Sequence, residues 1–194
     1  MQNNTSLIKV WDPLVRIFHW SLVLSFFLAY VTEEDFISIH TFAGYAVLVL
    51  LLIRIVWGFI GTRHARFTDF VYSAQNIKQF LKDTVKLKAK RYIGHNPAGG
   101  AMILMMIISL LAASVSGVAL YGAEDQAGPL ASWFSQGHSF WGDVLEEVHE
   151  FFANFSLLLV FIHVAGVIIE SMIHKENLAK SMINGMKRSD NHNQ

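Results

Sequence analysis

The stretch "HEFFANFSLLLVFIHVAGVIIES", His149 to Ser171, sets two histidines in an otherwise apolar run. An imidazole in hydrocarbon carries polar nitrogens that must find partners, so it is either satisfied by something nearby or kept because something uses it. The 14 residues between them correspond to about 21 Å of helical rise and, at about 100° per residue, return to within about 40° of the same face. One helix would therefore offer two imidazoles to one side at two depths.

The surrounding chain says what kind of helix this is. Of 194 residues, 53% are hydrophobic and 15% charged, against about 25% charge in a typical soluble domain. Four apolar segments, 14–32, 37–60, 98–121 and 147–173, reach the roughly 20 residues needed to cross a hydrocarbon core. The expectation is an all-α protein, an integral membrane four-helix bundle forming one domain over residues 1–194. The first segment follows polar residues and has no small-residue cleavage site after a short apolar core, so it reads as a retained helix and not a signal peptide. Pro13 suits a first helical turn, where its missing N–H is not needed. The chain has no cysteine, which excludes internal disulfides, thiolate zinc sites, iron–sulfur clusters and covalently attached c-type haem. Metal chemistry here must use His, Met or carboxylates.

Net charge is zero, yet the charges are sorted. All 15 Lys and Arg residues lie at or before Arg16, between Arg54 and Arg91, or from Lys175 onward. With four crossings those regions share one side. The other side receives Glu33, Glu34, Asp35, Glu124, Asp125, Asp143 and Glu146 and no Lys or Arg. The positive-inside rule then puts both termini and the 61–95 loop in the cytoplasm. Within that loop, apolar residues interleave with Lys78, Lys82, Lys86 and Lys88 over about 68–92, which suits an amphipathic helix on the inner leaflet or, equally, a solvated basic connector. The tail 186–194 reads as disordered.

Four of the nine histidines lie inside or at the ends of spans: His19, His40, His149 and His163. His19 stands in the first turns of a helix entering from the cytoplasm and His163 toward the cytoplasmic end of the fourth. His40 and His149 each open a helix from the opposite side. Two axial His pairs across a helical bundle are what two b-type haems require, each iron held by imidazole on both faces. Gly44, Ala153 and Gly166 lie three or four residues beyond three of these ligands, where a porphyrin face would approach; ordinary helix packing also favours small residues at that spacing. Arg16 and Arg54 could pair with haem propionates or snorkel to the inner headgroups. His95 would cap a helix or contact a propionate, while His64, His138, His174 and His192 read as surface residues. Met105 and Met106 suit core packing better than ligation. Glu170 is expected to salt-bridge to Arg16.

The motifs "VWDPLVRIFHW", "IHTFAGY", "RIVWGFIGTRHARFTDF", "YIGHNPAGGAMI" and the opening stretch resemble the bacterial cytochrome b561 and nickel–iron-hydrogenase cytochrome b superfamily over about residues 9–175. The resemblance implies a multi-pass protein of the bacterial inner membrane with two haem b groups, His19 with His163 on the cytoplasmic iron and His40 with His149 on the periplasmic one. It implies electron transfer between ubiquinone or menaquinone and a periplasmic c-type cytochrome or oxidoreductase subunit. Ser116–Gly117 departs mildly from the Thr-Gly of many relatives. The 122–146 loop is acidic and aromatic, with Trp133, Phe134, Phe140 and Trp141, suited to interfacial anchoring or to a basic partner. Membrane lipid and a second copy of the chain in a homodimer complete the expected partners, and nucleic acid is not among them.

Two other readings compete. One is a stand-alone oxidoreductase, for example a superoxide:ubiquinone oxidoreductase; the other is a transporter whose buried histidines relay protons. Because Lys78, Lys82 and Lys86 lie outside the bundle, replacing all three with Gln should leave the reduced-minus-oxidised haem spectrum unchanged, and altered b-type bands would contradict the layout.

Overall fold

The computed structural model describes residues 6–33, 36–134 and 140–189. Its elements run β1 (Leu7–Lys9), α1 (Pro13–Val31), α2 (Ile37–Ile60), α3 (Phe67–Phe70), α4 (Ala74–Val85), α5 (Pro97–Glu124), α6 (Phe140–His174), α7 (Leu178–Asn184) and β2 (Met186–Arg188), with single 3-10 turns at Arg63–Ala65 and Ala131–Trp133. Among the described residues, four helices are long and apolar enough to cross a membrane: α1, α2, α5 and α6 from Trp141. Their outward positions are apolar too: Leu24, Phe42, Phe59, Ile108 and Phe161 are all exposed, as expected where the solvent is lipid and every backbone polar group is satisfied within its helix. The chain is a multi-pass membrane protein.

Helix ends follow local chemistry. Asp12 precedes Pro13 and caps α1 through the Val15 N–H, at 3.0 Å, a typical N-cap bond. Asn96 does the same for α5, accepting the Gly99 N–H at 2.7 Å. The first turn of α6 carries Asp143, an acid placed where the helix dipole favours it, and α6 starts at Phe140, earlier than its apolar run at 147. The 68–92 connector divides into α3 and α4, because Ser73 is extended and its side chain takes the Asn76 N–H.

The chain divides into two compact units. The first comprises Met1–His19, Arg54–Leu104 and Phe161–Gln194. Its hub is Asp12, whose Oδ2 accepts from the Trp57 indole at 3.2 Å and the Thr62 hydroxyl at 2.5 Å. Burial alone would raise this carboxyl, but the hydrogen bonds from Thr62, Val15 and Trp57 outweigh it and hold Asp12 below its ordinary range. The expected disordered tail is ordered at its start: β2 pairs antiparallel with β1, Leu7 opposite Arg188 and Lys9 opposite Met186. Two side chains secure it. The Lys187 ammonium donates to the Tyr92 and Ile93 carbonyls at 3.0 and 2.9 Å, and Glu176 receives Arg91 at 2.9 Å and the Arg188 N–H at 2.9 Å. Gly185, at φ +80°, ends α7; its carbonyl accepts the Val10 and Trp11 N–H groups, and a Cβ there would press on the Trp11 carbonyl.

The second unit comprises Trp20–Ile53 and Met105–Val160. Its interior holds Ala43, Val47, Leu51 and Leu159, all buried, and a polar contact between α5 and α6, Ser109 to Ser156 at 2.8 Å. Short hydroxyl side chains let membrane helices approach closely while satisfying each other. Tyr30 joins α1 to α6 by donating to Asn154 at 2.7 Å.

Replacing Asp12 with Ala would strip an acceptor from a buried indole, a hydroxyl and a backbone N–H. Thermal unfolding in detergent should show a loss of about 1–3 kcal/mol, and an unchanged transition would remove Asp12 as the hub.

Candidate functional site

The sequence marks four histidines, and each compact unit brings one pair together. In the second unit, His40 on α2 faces His149 on α6 with ring centres 5.9 Å apart and planes at 82°. In the first, His19 on α1 faces His163 on α6 at 6.4 Å and 53°. With a metal–imidazole bond of about 2.0–2.1 Å and a ring centre roughly 1.1 Å behind its nitrogen, two axial imidazoles on one iron stand about 6.3 Å apart. Both pairs match that spacing. Among the described residues no three His, Asp or Glu side chains converge.

Orientation is set from behind the rings. His40 Nδ1 lies 2.9 Å from the Ala29 carbonyl and His149 Nδ1 lies 2.8 Å from the Ala113 carbonyl. A carbonyl can only accept, so each Nδ1 carries the proton and each Nε2 keeps its lone pair for a metal. Ala29 is in the last turn of α1, where helix carbonyls lack an intrahelical partner. Ala113 lies within α5, and its carbonyl is reachable because Gly117, one turn on, has no side chain: a Cβ at Gly117 would lie 2.7 Å from His149 Cε1 and 2.9 Å from Nδ1. Ser116 turns its hydroxyl back onto the Ala112 and Ala113 carbonyls at 2.7 and 3.0 Å. The Ser-Gly pair thus seats the His149 ring.

The glycines beside the rings also suit a flat macrocycle. A Cβ added at Gly44 or at Gly166 would have no atom within 4 Å. That leaves room for a ring edge.

Arg54 is 4% exposed and lies over the Phe67 and Phe70 rings at 5.3 and 5.8 Å. It therefore does not snorkel to headgroups. Its buried NH1 has no hydrogen-bond partner, and a buried cation with an open donor is a place for an anion such as a carboxylate. His95 shares the Phe70 ring, at 4.8 Å, and packs on Trp11 at 4.6 Å. Its Nδ1 is likewise buried and unpaired. Arg16 donates NH1 to the Ile183 carbonyl, and its buried Nε has no hydrogen-bond partner.

Several expectations change. Glu170 does not reach Arg16; it accepts from Asn96 Nδ2 at 3.1 Å and lies 3.3 Å from His174 Nε2, because Arg16 is committed to α7 and Asn96 projects back from its capping position. His174 is therefore not a free surface residue, and neither is His64, which meets Asp69 at 2.8 Å. His138 and His192 lie outside the described residues. The α5 cap is Asn96 and not His95. Met105 is exposed and not core.

A family profile described as prokaryotic cytochrome b561 matches residues 10–185. The chain belongs to the prokaryotic cytochrome b561 family. It is a membrane electron-transfer cytochrome, and the haem that such cytochromes carry is haem b. The cytochrome is 26% identical over 212 residues to a probable Ni/Fe-hydrogenase B-type cytochrome subunit of Rhizobium leguminosarum bv. viciae, covering 92% of this chain and 87% of the relative. It is 25% identical over 216 residues to the protein of that name in Azotobacter vinelandii, covering 93% and 88%.

The partners missed by sequence reasoning are main-chain carbonyls, which have no residue-type signature. Gly117 was legible only as the retained glycine of a motif in which Ser116 replaces Thr. Replacing Gly117 with Val should displace the His149 ring and lose one haem equivalent by pyridine haemochromogen assay; retention of full haem would separate Gly117 from ligation. His95 supplies a pH prediction. Burial, then the charges of Arg54 and Lys187, lower its imidazole from 6.5 to about 3. Between those values the unfolded chain binds more protons than the folded one, so acidification through that window should destabilise the cytochrome. His95→Gln should flatten the thermal-stability profile over the same range.

Proposed function

We propose that this cytochrome carries two haem b groups and passes electrons between the quinone pool, ubiquinone or menaquinone, and a periplasmic redox protein. The observation that carries this reading is the pair of facing imidazoles in each unit, at 6.4 and 5.9 Å, spaced for one iron apiece. Haem b, held by His19 with His163 and by His40 with His149, would supply a one-electron Fe(III)/Fe(II) couple suited to electron transfer.

The chain's own residues hold the cofactors. His19 and His163 are the cytoplasmic ligands, and His40 and His149 the periplasmic ones. Ala29 and Ala113 fix the tautomer of the second pair through their carbonyls. Gly44 and Gly166 admit the ring, and Arg54, with Arg16, offers buried guanidinium donors to propionates. Both ligand pairs draw one member from the single helix α6.

The sorting of Lys and Arg supports cytoplasmic termini in the bacterial inner membrane. The names of the relatives support a Ni/Fe hydrogenase as the partner, with this chain as its B-type cytochrome subunit; quinone would be the other exchange point. Exposed Trp133 and Trp141 on the acidic side suit an interfacial belt beside that partner.

His163→Ala should lose one haem and leave the other, read as half the pyridine haemochromogen signal with a surviving b-type band. Two full haem equivalents in that variant would contradict the pairing. Purified cytochrome without a partner should not turn over superoxide with quinone; sustained turnover would replace the subunit reading by a stand-alone oxidoreductase.

A further inference from the structure

We propose that the outward face of α4 is a docking surface for acidic phospholipid, holding the helix at the boundary between headgroups and acyl chains. One side of α4 belongs to the protein: Phe80 is 6% exposed, with its ring 5.7 Å from that of Tyr92. A second side is apolar and open. Ala74, Ile77, Leu81 and Val85 follow helical spacing, and Leu81 is 51% and Val85 85% exposed. At about 100° per residue this row covers roughly 80° of the helix, and Lys78 and Lys82 begin about 20° beyond it, on the edge away from Phe80. Both lysines, with Lys86, line the same shallow depression as Leu81 and Val85.

The acid on this helix is elsewhere. Asp83 lies roughly 160° from Leu81 and is held by Gln79 at 3.0 Å. Among the described residues none of the three lysines has an ion-pair partner. An apolar row edged by unpaired lysines is complementary to an anionic leaflet: the row enters the acyl boundary while the lysine stems lie along it and carry their ammonium groups to phosphate. A single basic edge is what this geometry needs, since Phe80 commits the other edge to protein.

Chain connectivity favours a membrane over a soluble partner. The helix lies between the end of α2 at Ile60 and the start of α5 at Pro97, two spans whose ends share its compact unit. It is therefore tethered where the chain leaves the bilayer. The proposal rests on those spans and not on haem ligation.

The chain has no cysteine, so Val85→Cys or Asn76→Cys adds a unique site for a spin label in the full-length cytochrome. Asn76 is exposed on the side opposite Val85. Each labelled protein is placed in phosphatidylcholine vesicles with or without phosphatidylglycerol, and relaxation by oxygen is compared with relaxation by a water-soluble nickel chelate. The label at 85 should favour oxygen and the label at 76 the chelate. Phosphatidylglycerol should increase the contrast. Each of Lys78→Gln, Lys82→Gln and Lys86→Gln should lower the ratio of docked to undocked helix about fivefold in acidic vesicles, with the haem spectrum reporting an intact fold. Equal chelate access at 85 and 76 in both vesicle types would overturn the proposal in favour of a surface open to solvent or to a soluble partner. Docking of equal strength in neutral and acidic vesicles would overturn its acidic-lipid specificity.

Discussion

An imidazole buried among apolar helices must satisfy one ring nitrogen before the other can serve as a ligand. In the second unit that requirement is met by the main chain: Ala29 and Ala113 each present a carbonyl to a histidine Nδ1. Such a bond decides which nitrogen keeps its lone pair, how the ring is turned, and how far it stands from its counterpart. The surrounding sequence can be read as a set of accommodations to it. Gly117 removes the side chain that would cover one carbonyl, and α1 ends where the Ala29 carbonyl, which also accepts the Thr32 N–H, can meet the start of α2.

The same economy governs charge. Asp12 pairs with Thr62 and Trp57, Glu176 with Arg91 and Arg188, and Glu170 with Asn96. Against that background Arg54 stands out, since it is buried, stacked on two phenyl rings, and retains a donor without a partner. Leaving a guanidinium in that state is costly in a low-dielectric interior, which is why an anionic group of the cofactor is its natural complement. His95 beside it stays neutral at physiological pH and so adds no second buried charge.

The polar connections are built more firmly than their composition suggests. The 68–92 segment suits a solvated connector as well as an amphipathic helix and the 186–194 tail reads as disordered, yet Lys187 is buried and β2 pairs with β1. Burial of that lysine is tolerable because two backbone carbonyls receive its ammonium group. Partners of this sort come from segments nearly a hundred residues away, so local composition carries no sign of them.

By itself the sequence determined the class of molecule and the four spans, because hydropathy over about 20 residues and the 3.6-residue period are local properties of the chain. Resemblance in the motifs pointed to the family that the profile match then established. The tertiary structure alone decided which atoms lie behind the ligands, that Glu170 turns to Asn96 and His174 instead of Arg16, that Arg54 is buried, and that the tail forms a strand. Each of these depends on a backbone group or a side chain distant in sequence, and a carbonyl looks the same on every residue until the fold brings a donor to it.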